Sequence, residues 1–315
     1  MTGDTKTEAL AGTPDSAGTW SDYWRNEGAG GEVFVDGAGN KHPALAAFWK
    51  ELFAELQDNT RAIDIASGAG SIFEAVENKE RLALFAVDVA SEALEILSSR
   101  NPGVETKVSS AANIPYEDQV FDQVVSQFGI EYAGREAFAE AARLLAPGGK
   151  LVALCHYSDG YIDKRNRARL AGATVARDCG FVSKAIDLIS AAEPDSEKSA
   201  QALAPAEKAL AEAIRENPDG IHAHLYFGFR QLYLERANYY PKDIIEWLEK
   251  VGAEIEKSIS RISKIREVAL SREGADDIAI LIAGNGLSDV SFEPFRTPGK
   301  DDPIAWLLTA TRRAR

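Results

Sequence analysis

The sequence contains little cysteine. Its 315 residues include two, Cys155 and Cys179. Neither lies in a Cys-x-x-Cys pair, and no group of cysteine and histidine residues has the spacing of a zinc site. A disulfide-stabilised scaffold and a structural zinc centre are therefore excluded, and a reducing compartment is the simplest interpretation.

Long hydrophobic runs and an excess of positive charge are also lacking. No segment approaches the roughly 18 apolar residues of a membrane-spanning helix, and the polar N-terminal segment lacks the apolar stretch of a secretory signal. We therefore expect a soluble, cytoplasmic protein with no membrane span. Lys and Arg number 35 against 49 Asp and Glu, so the net charge is −14 and DNA is not an expected partner.

Short apolar runs alternate with helical patterns in the first half of the chain. The pattern predicts helices at about 70–79, 91–100 and 134–145, and strands at 62–65, 82–87, 104–108, 121–126 and 150–156. Ser91 is expected to cap the second helix. Strands that alternate with helices indicate a mostly parallel sheet with helices on both faces.

Beyond residue 156 the strand pattern gives way to long helical patterns. These lie at roughly 161–191, 198–216, 221–239 and 241–272, and Pro205 is expected to interrupt the second. The α/β pattern then returns with a helix at 275–283 and strands at 288–295 and 304–311. The fold class is thus α/β and doubly wound, with an all-helical insertion between strand 5 and the last helix–strand–strand unit.

The same patterns predict the domain organisation. We expect a flexible tail at 1–18, one α/β domain formed by 19–156 and 273–315, and a helical insertion at 157–272.

Two features at neighbouring strand ends predict a nucleoside-containing cofactor. The first strand runs into a glycine-rich turn, Asp64-Ile65-Ala66-Ser67-Gly68-Ala69-Gly70, where the backbone can pass close to a ligand at the start of a helix. The second strand ends at Asp88, about twenty residues further on, where an acid can accept both hydroxyls of a ribose. A dinucleotide remains open at this point. However, Phe73 stands where the third glycine of a Gly-x-Gly-x-x-Gly motif would lie, and the chain has no second nucleotide-binding half.

These residues, with three further segments, resemble the class I S-adenosylmethionine-dependent methyltransferases, in particular the small-molecule group of ubiquinone and menaquinone biosynthesis. Ala66 replaces the first glycine of the family's turn, residues 110–122 are similar to its DAxxLPFxDxxFD segment, 121–129 to its fourth strand and exit, and 144–151 to its LxPGGxL turn. The resemblance implies a Rossmann-like methyltransferase fold with a seven-stranded sheet, and S-adenosylmethionine as cofactor with S-adenosylhomocysteine as product.

The resemblance also implies which residues contact the cofactor. They are Asp64, Ala66, Ser67, Gly68, Gly70, Asp88, Val89, Ser110, Ala111, Gln127, Phe128, Tyr23 and Trp24. Ser110 stands where the family often has an acid against the adenine amino group. Tyr23 and Trp24 lie in a segment similar to an aromatic stretch that folds over the cofactor in many relatives.

The acceptor is expected beyond the carboxyl ends of the fourth and fifth strands. His156 is the candidate general base, and capping of its strand is the alternative role. Tyr132, Tyr157, His222 and Arg230 are candidate substrate contacts. The helical insertion is suited to a substrate lid and equally to a homodimer contact.

The sequence therefore predicts a metal-free methyltransferase that acts on a small or medium organic acceptor by in-line displacement. Two alternatives stay open. One is methylation of a protein or an RNA, and the other is a catalytically silent module that serves as a scaffold or in dimerisation.

Overall fold

The computed structural model describes residues 20–21, 23–25, 42–191, 197–299 and 301–314. The tail predicted at 1–18 lies outside these residues. The described chain divides into two compact units, one formed by Met1–Tyr161 with Val268–Arg315 and the other by Ile162–Glu267.

The first unit contains a seven-stranded sheet in the order β3-β2-β1-β4-β5-β7-β6. Neighbours from β3 to β5 run parallel, whereas β7 is antiparallel to both β5 and β6. The strands are β1 Arg61–Ile65, β2 Ala83–Asp88, β3 Glu105–Val108, β4 Phe121–Gln127, β5 Leu145–His156, β6 Leu287–Phe295 and β7 Ala305–Arg312. The predicted fold class, a doubly wound and mostly parallel sheet of seven strands, is confirmed.

Helices α1 to α10 complete the described elements together with short 3-10 turns, among them Lys79–Arg81 and Ile130–Ala133. In chain order the helices are Pro43–Ala54, Ser71–Glu74, Ser91–Arg100, Arg135–Leu144, Tyr161–Asp178, Phe181–Ser190, Glu197–Glu216, Ile221–Leu234, Pro241–Val268 and Arg272–Gly284. Among the described residues no helix is both long and apolar enough to cross a membrane.

Helices cover both faces of the sheet. One apolar core joins strand residues such as Ile63 and Val87 to Phe138 of α4 and Ile278 of α10. A second core on the opposite face joins the sheet to α1, α2 and α3, where Trp49 is fully buried. The inner strands are apolar on both faces because both are covered, whereas the edge strand β3 is polar and partly exposed.

Two local predictions on the first unit are wrong. The helix expected at 70–79 is only Ser71–Glu74, and the left-handed residue Asn78 then precedes a separate 3-10 turn at Lys79–Arg81. Ser91 does not cap α3. It is the first helical residue, and the carboxylate of Asp88 accepts the Ala90 N–H in place of a serine cap.

The second unit is helical and has its own apolar core. Phe181, Leu210, Leu225 and Leu248 are fully buried there. The single helix expected at 161–191 is two helices, since Gly180 adopts a left-handed conformation between them. The interruption expected at Pro205 is wrong as well, because α7 continues through this exposed residue.

Replacing Pro205 with alanine is expected to stabilise the helical unit. Proline has no N–H for the bond to the carbonyl one turn earlier, and its ring crowds that carbonyl, so removing it should raise the free energy of unfolding by about 1–3 kcal/mol. Urea unfolding followed by circular dichroism measures the change. Pro218→Ala, between helices, is the matched control and should give no such gain; an unchanged or lower stability of Pro205→Ala would contradict the expectation.

Candidate active site

The glycine-rich turn after β1 lies at the carboxyl edge of the parallel strands. Ala66, Gly68 and Gly70 all have positive φ, at 54°, 51° and 84°. Glycine adopts the left-handed region freely, but in Ala66 this backbone conformation is strained. The Ser67 N–H donates to the Val87 carbonyl at 3.0 Å, which ties the turn to the end of β2. The turn is therefore held against the strand that ends in Asp88.

Asp88 organises the backbone at this edge. Its Oδ2 accepts the Gly68 N–H at 2.8 Å and its Oδ1 accepts the Ala90 N–H at 2.9 Å. Burial raises the pKa of the Asp88 carboxyl, and the amides of Ala90, Gly68 and Val89 counteract part of the rise. An ionised carboxylate offers about four acceptor positions, which is more than these amides use. Asp88 can therefore hold the turn and still accept a further hydroxyl group.

Asp64 is a buried acid on β1, directly before the turn. It is 1% exposed, and within the described part of the chain neither carboxylate oxygen has a hydrogen-bond partner. Burial raises its pKa well above the usual range, and the negative charge of Asp88 adds to the rise. A buried, unpartnered carboxyl is costly, so its presence here indicates a site that a donor or cation can complete.

Replacing Asp64 with asparagine is expected to make the folding stability of the ligand-free protein less sensitive to rising pH. The folded state binds the Asp64 proton more tightly than the unfolded chain, so stability is lost as the pH rises through the raised pKa. The difference in stability between the variant and the wild type should therefore shift in favour of the variant as the pH rises from about 5 to about 9. Thermal unfolding across this range tests it, with the exposed Asp187→Asn as control; parallel curves for Asp64→Asn and wild type would contradict it.

An aromatic segment from the N-terminal part of the chain covers the turn. The Trp24 ring packs on Gly68, where an added Cβ would lie 2.6 Å from ring atom Cζ2. Trp24 also packs with Ala69, Ala90 and Ala93. The Tyr23 ring lies 5.0 Å from that of Trp24. The structure thus brings both predicted aromatic residues to the glycine turn and the end of β2.

The β4 exit turn is fixed to the end of β1 by buried polar contacts. Ser126 donates its hydroxyl to the Ile65 carbonyl at 2.8 Å and accepts the Ile130 N–H at 3.1 Å. Gln127 accepts from the Trp49 indole N–H at 2.6 Å and donates to the Ser71 hydroxyl at 3.1 Å. Gln127, predicted as a cofactor contact, therefore joins α1 to the start of α2.

His156 ends β5 within a cluster of aromatic rings. Phe128, at a left-handed φ of 52°, stacks on the imidazole with ring centroids 4.7 Å apart. The Tyr132 hydroxyl lies 3.2 Å from His156 Nε2. The Trp20 ring packs edge-to-face on Tyr132 at 5.1 Å. The predicted base and the predicted contact Tyr132 are thus side by side at the carboxyl ends of β4 and β5.

Glu131 is a buried acid beneath this cluster that the sequence reading missed. It is 2% exposed, and its Oε1 accepts the His156 backbone N–H at 2.8 Å. Burial raises its pKa to about 7, and the His156 amide counteracts part of the rise. The available signal was an acid inside the apolar stretch Ile130-Glu131-Tyr132-Ala133 directly after a buried strand.

The remaining predicted cofactor contacts lie where β3 ends and just beyond β2. The Ser109 N–H donates to the Asp88 carbonyl at 2.9 Å, so Ser110 follows a residue tied to the carboxyl end of β2. Ser110 is exposed, and its hydroxyl accepts the Ala112 N–H at 3.2 Å. Ala111 is buried on the neighbouring core, and the Val89 amide faces Asp88.

The other predicted substrate contacts have packing partners. Tyr157 stacks on Trp306 with centroids 4.2 Å apart. His222 is fully buried in the helical unit, where its Nε2 lies 2.7 Å from the Asn217 carbonyl. Arg230, in the same unit, donates to the Tyr226 hydroxyl at 3.1 Å. Tyr157 thus belongs to the unit that contains the sheet, whereas His222 and Arg230 belong to the helical unit.

Comparison with known proteins identifies the segment that carries these strand ends. Residues 63–153 match the family model described as a methyltransferase domain. This segment is therefore similar to methyltransferase domains. It contains the glycine turn, Asp88, Glu131 and most of β5, so the resemblance stated from the sequence motifs is confirmed.

Individual relatives match only part of this chain. An uncharacterized methyltransferase of Schizosaccharomyces pombe is 27% identical over 122 residues, or 38% of this chain and 49% of the relative. A demethylmenaquinone methyltransferase of Renibacterium salmoninarum is 32% identical over 94 residues, or 29% of this chain and 39% of the relative. A ubiquinone/menaquinone biosynthesis C-methyltransferase of Rickettsia akari is 29% identical over 156 residues, or 42% of this chain and 62% of the relative. Each match thus spans less than two thirds of the relative's own length.

Proposed function

We propose that the chain is an S-adenosylmethionine-dependent methyltransferase that acts on a small or medium organic acceptor. The observation that carries the proposal is Asp88. It lies at the end of β2 and accepts the Gly68 N–H of the glycine turn, and a carboxylate at this point can accept ribose hydroxyls. The methyltransferase domain match over 63–153 and the names of the relatives support the same activity.

The residues at the turn fit the donor. Asp88 would hold the ribose, the backbone of Ser67 and Gly68 would approach the chain that carries the methionine group, and the unpartnered Asp64 carboxyl suits a positively charged ammonium nearby. When bound, S-adenosylmethionine supplies an already activated methyl group. The protein then has to orient the acceptor and exclude water.

His156 is the group we assign to proton removal from the acceptor. It lies at the carboxyl end of β5, next to the β4 exit turn, and Phe128 and Tyr132 hold its ring in place. An imidazole can accept a proton near neutral pH, which an acceptor O–H or acidic C–H requires as the methyl group arrives. Tyr132, whose hydroxyl lies 3.2 Å from His156 Nε2, is the neighbouring group that we assign to contact with the acceptor.

Incubation with methyl-labelled S-adenosylmethionine and a fractionated extract of small metabolites tests the function. We expect label in a low-molecular-mass compound, and no label with Asp88→Ala. Label found only in protein or RNA would contradict the small acceptor. A folded chain that neither transfers label nor binds the donor would contradict the activity and support the alternative of a silent scaffold.

A further inference from the structure

The buried acid Glu131 has a specific place in the fold, and no ion pair to it is present among the described residues. It lies in the 3-10 turn Ile130–Ala133, which Ser126 fixes to the end of β1. Its Oε1 accepts the His156 N–H at 2.8 Å, so the carboxyl is anchored to the residue that ends β5. Its Oε2 is buried and, among the residues that the structure describes, has no hydrogen-bond partner.

The described neighbours of Glu131 include other titratable groups. Tyr132 lies on its own turn, Cys155 lies on β5, and the Glu131 Oε1 accepts the His156 backbone N–H. On the adjacent α4, Glu140 and Arg143 pair with each other at 2.7 Å. In the described chain no basic side chain forms an ion pair with Glu131. Burying an unpaired acid is unfavourable, so packing alone does not account for it.

The charge of Glu131 acts on groups of its own turn and of β5. Burial raises the pKa of the Tyr132 hydroxyl and of the Cys155 thiol, and in each case the negative charge of Glu131 raises it further. A charge that disfavours anions at these two positions favours a cation in the same place. The imidazole of His156, whose own amide touches the carboxylate, is the group there that can become a cation.

We propose that Glu131 is a positioning residue for proton removal from the methyl acceptor: Oε1 fixes the backbone of His156, and the carboxylate charge stabilises the protonated imidazole. This inference rests on the proposed function. In the reaction the acceptor X–H bond breaks as X–CH₃ forms, the S–CH₃ electron pair stays on sulfur, and the proton moves to His156. The sulfonium charge is lost in this step and one positive charge appears on the imidazolium, opposite the Glu131 carboxylate.

The pH titration of the histidine rings tests the proposal without any knowledge of the acceptor. The chain has four histidines, so ¹³C-labelled histidine gives a simple NMR spectrum, in which His156→Gln assigns the His156 signal. We expect Glu131→Gln, which keeps an oxygen acceptor for the His156 N–H, to lower the His156 titration midpoint by about one pH unit. The exposed His224 is the internal reference and should not move.

A matched variant separates charge from structure. Glu136→Gln removes one negative charge from an exposed position on α4 and should leave the His156 midpoint unchanged. Equal midpoints in Glu131→Gln and the wild type would overturn the proposal, because a purely structural Glu131 would not alter the proton affinity of His156.

The wild-type titration decides the question if Glu131→Gln does not fold. Glu131 titrates in the same range as a histidine, so the His156 signal should shift in two steps. A single step at the ordinary histidine value of about 6.5 would overturn the proposal.

Calorimetry with S-adenosylhomocysteine on the same samples keeps the two claims apart. Glu131→Gln should retain the wild-type affinity, because Glu131 lies at the β4 and β5 ends and not at the glycine turn. If the wild type does not bind, the proposed function fails while the histidine titration remains readable. If binding is intact and the His156 midpoint is unaffected by Glu131, only the role of Glu131 fails.

Discussion

Replacing Asp88 with alanine is expected to weaken the binding of S-adenosylhomocysteine by about 100-fold or more. Two charge-assisted hydrogen bonds to ribose hydroxyls, each contributing about 1.5 kcal/mol or more, disappear with the carboxylate. The loss does not stop there, since the Gly68 and Ala90 amides also lose their acceptor and the glycine turn is released from β2. The effect on the ligand and the effect on the turn therefore act in the same direction.

Isothermal calorimetry on three variants resolves these contributions. Asp88→Asn keeps the size of the side chain but has one oxygen, so it can accept only one of the two amides and should bind with intermediate affinity. Asp187→Ala, an exposed acid on α6, is the control and should bind like the wild type. An Asp88→Ala protein that stays folded and binds with wild-type affinity would contradict the ribose site.

Replacing Gly129 with alanine is expected to lower the free energy of unfolding by about 2–3 kcal/mol and to weaken donor binding. An added Cβ would lie 2.6 Å from the Ala66 carbonyl oxygen and 2.8 Å from the Ala66 Cβ. Both belong to the glycine turn, which cannot move without disturbing its bonds to β2. A substitution in the β4 exit turn therefore directly disturbs the glycine turn.

A double-mutant cycle with Ala66→Gly tests this contact. Ala66→Gly removes one of the two clashes and also a left-handed alanine, so the double variant should recover part of the stability lost by Gly129→Ala. Gly284→Ala, with no atom within 4 Å of the added Cβ, is the control and should be neutral or slightly stabilising. If the effects of Gly129→Ala and Ala66→Gly on the free energy of unfolding in urea are additive, the glycine turn and the β4 exit turn are not in contact.

The sheet was predictable because its signal is local. Strands buried on both faces appear as short apolar runs, and glycine-rich turns mark their ends, so the position of each strand followed from the sequence. The breaks in the helices were less predictable. Gly180 ends a helix and Pro205 does not, because the surrounding packing decides whether a residue that disfavours helix stops one.

The candidate site was predictable where a residue type follows from a backbone motif. Asp88 and the turn at Gly68 are of this kind, and the structure places them within one hydrogen bond of each other. Contacts between residues far apart in the chain were not predictable. The bridge from Trp49 through Gln127 to Ser71 and the anchoring of His156 by Glu131 depend on tertiary packing that no short pattern contains.

The most direct test of the account is equilibrium binding of S-adenosylhomocysteine to the full chain, with NAD as the competing nucleoside cofactor. We expect a micromolar dissociation constant for S-adenosylhomocysteine, one site per chain, and no binding of NAD. Binding of NAD at that site, or a folded chain that binds neither compound, would contradict it.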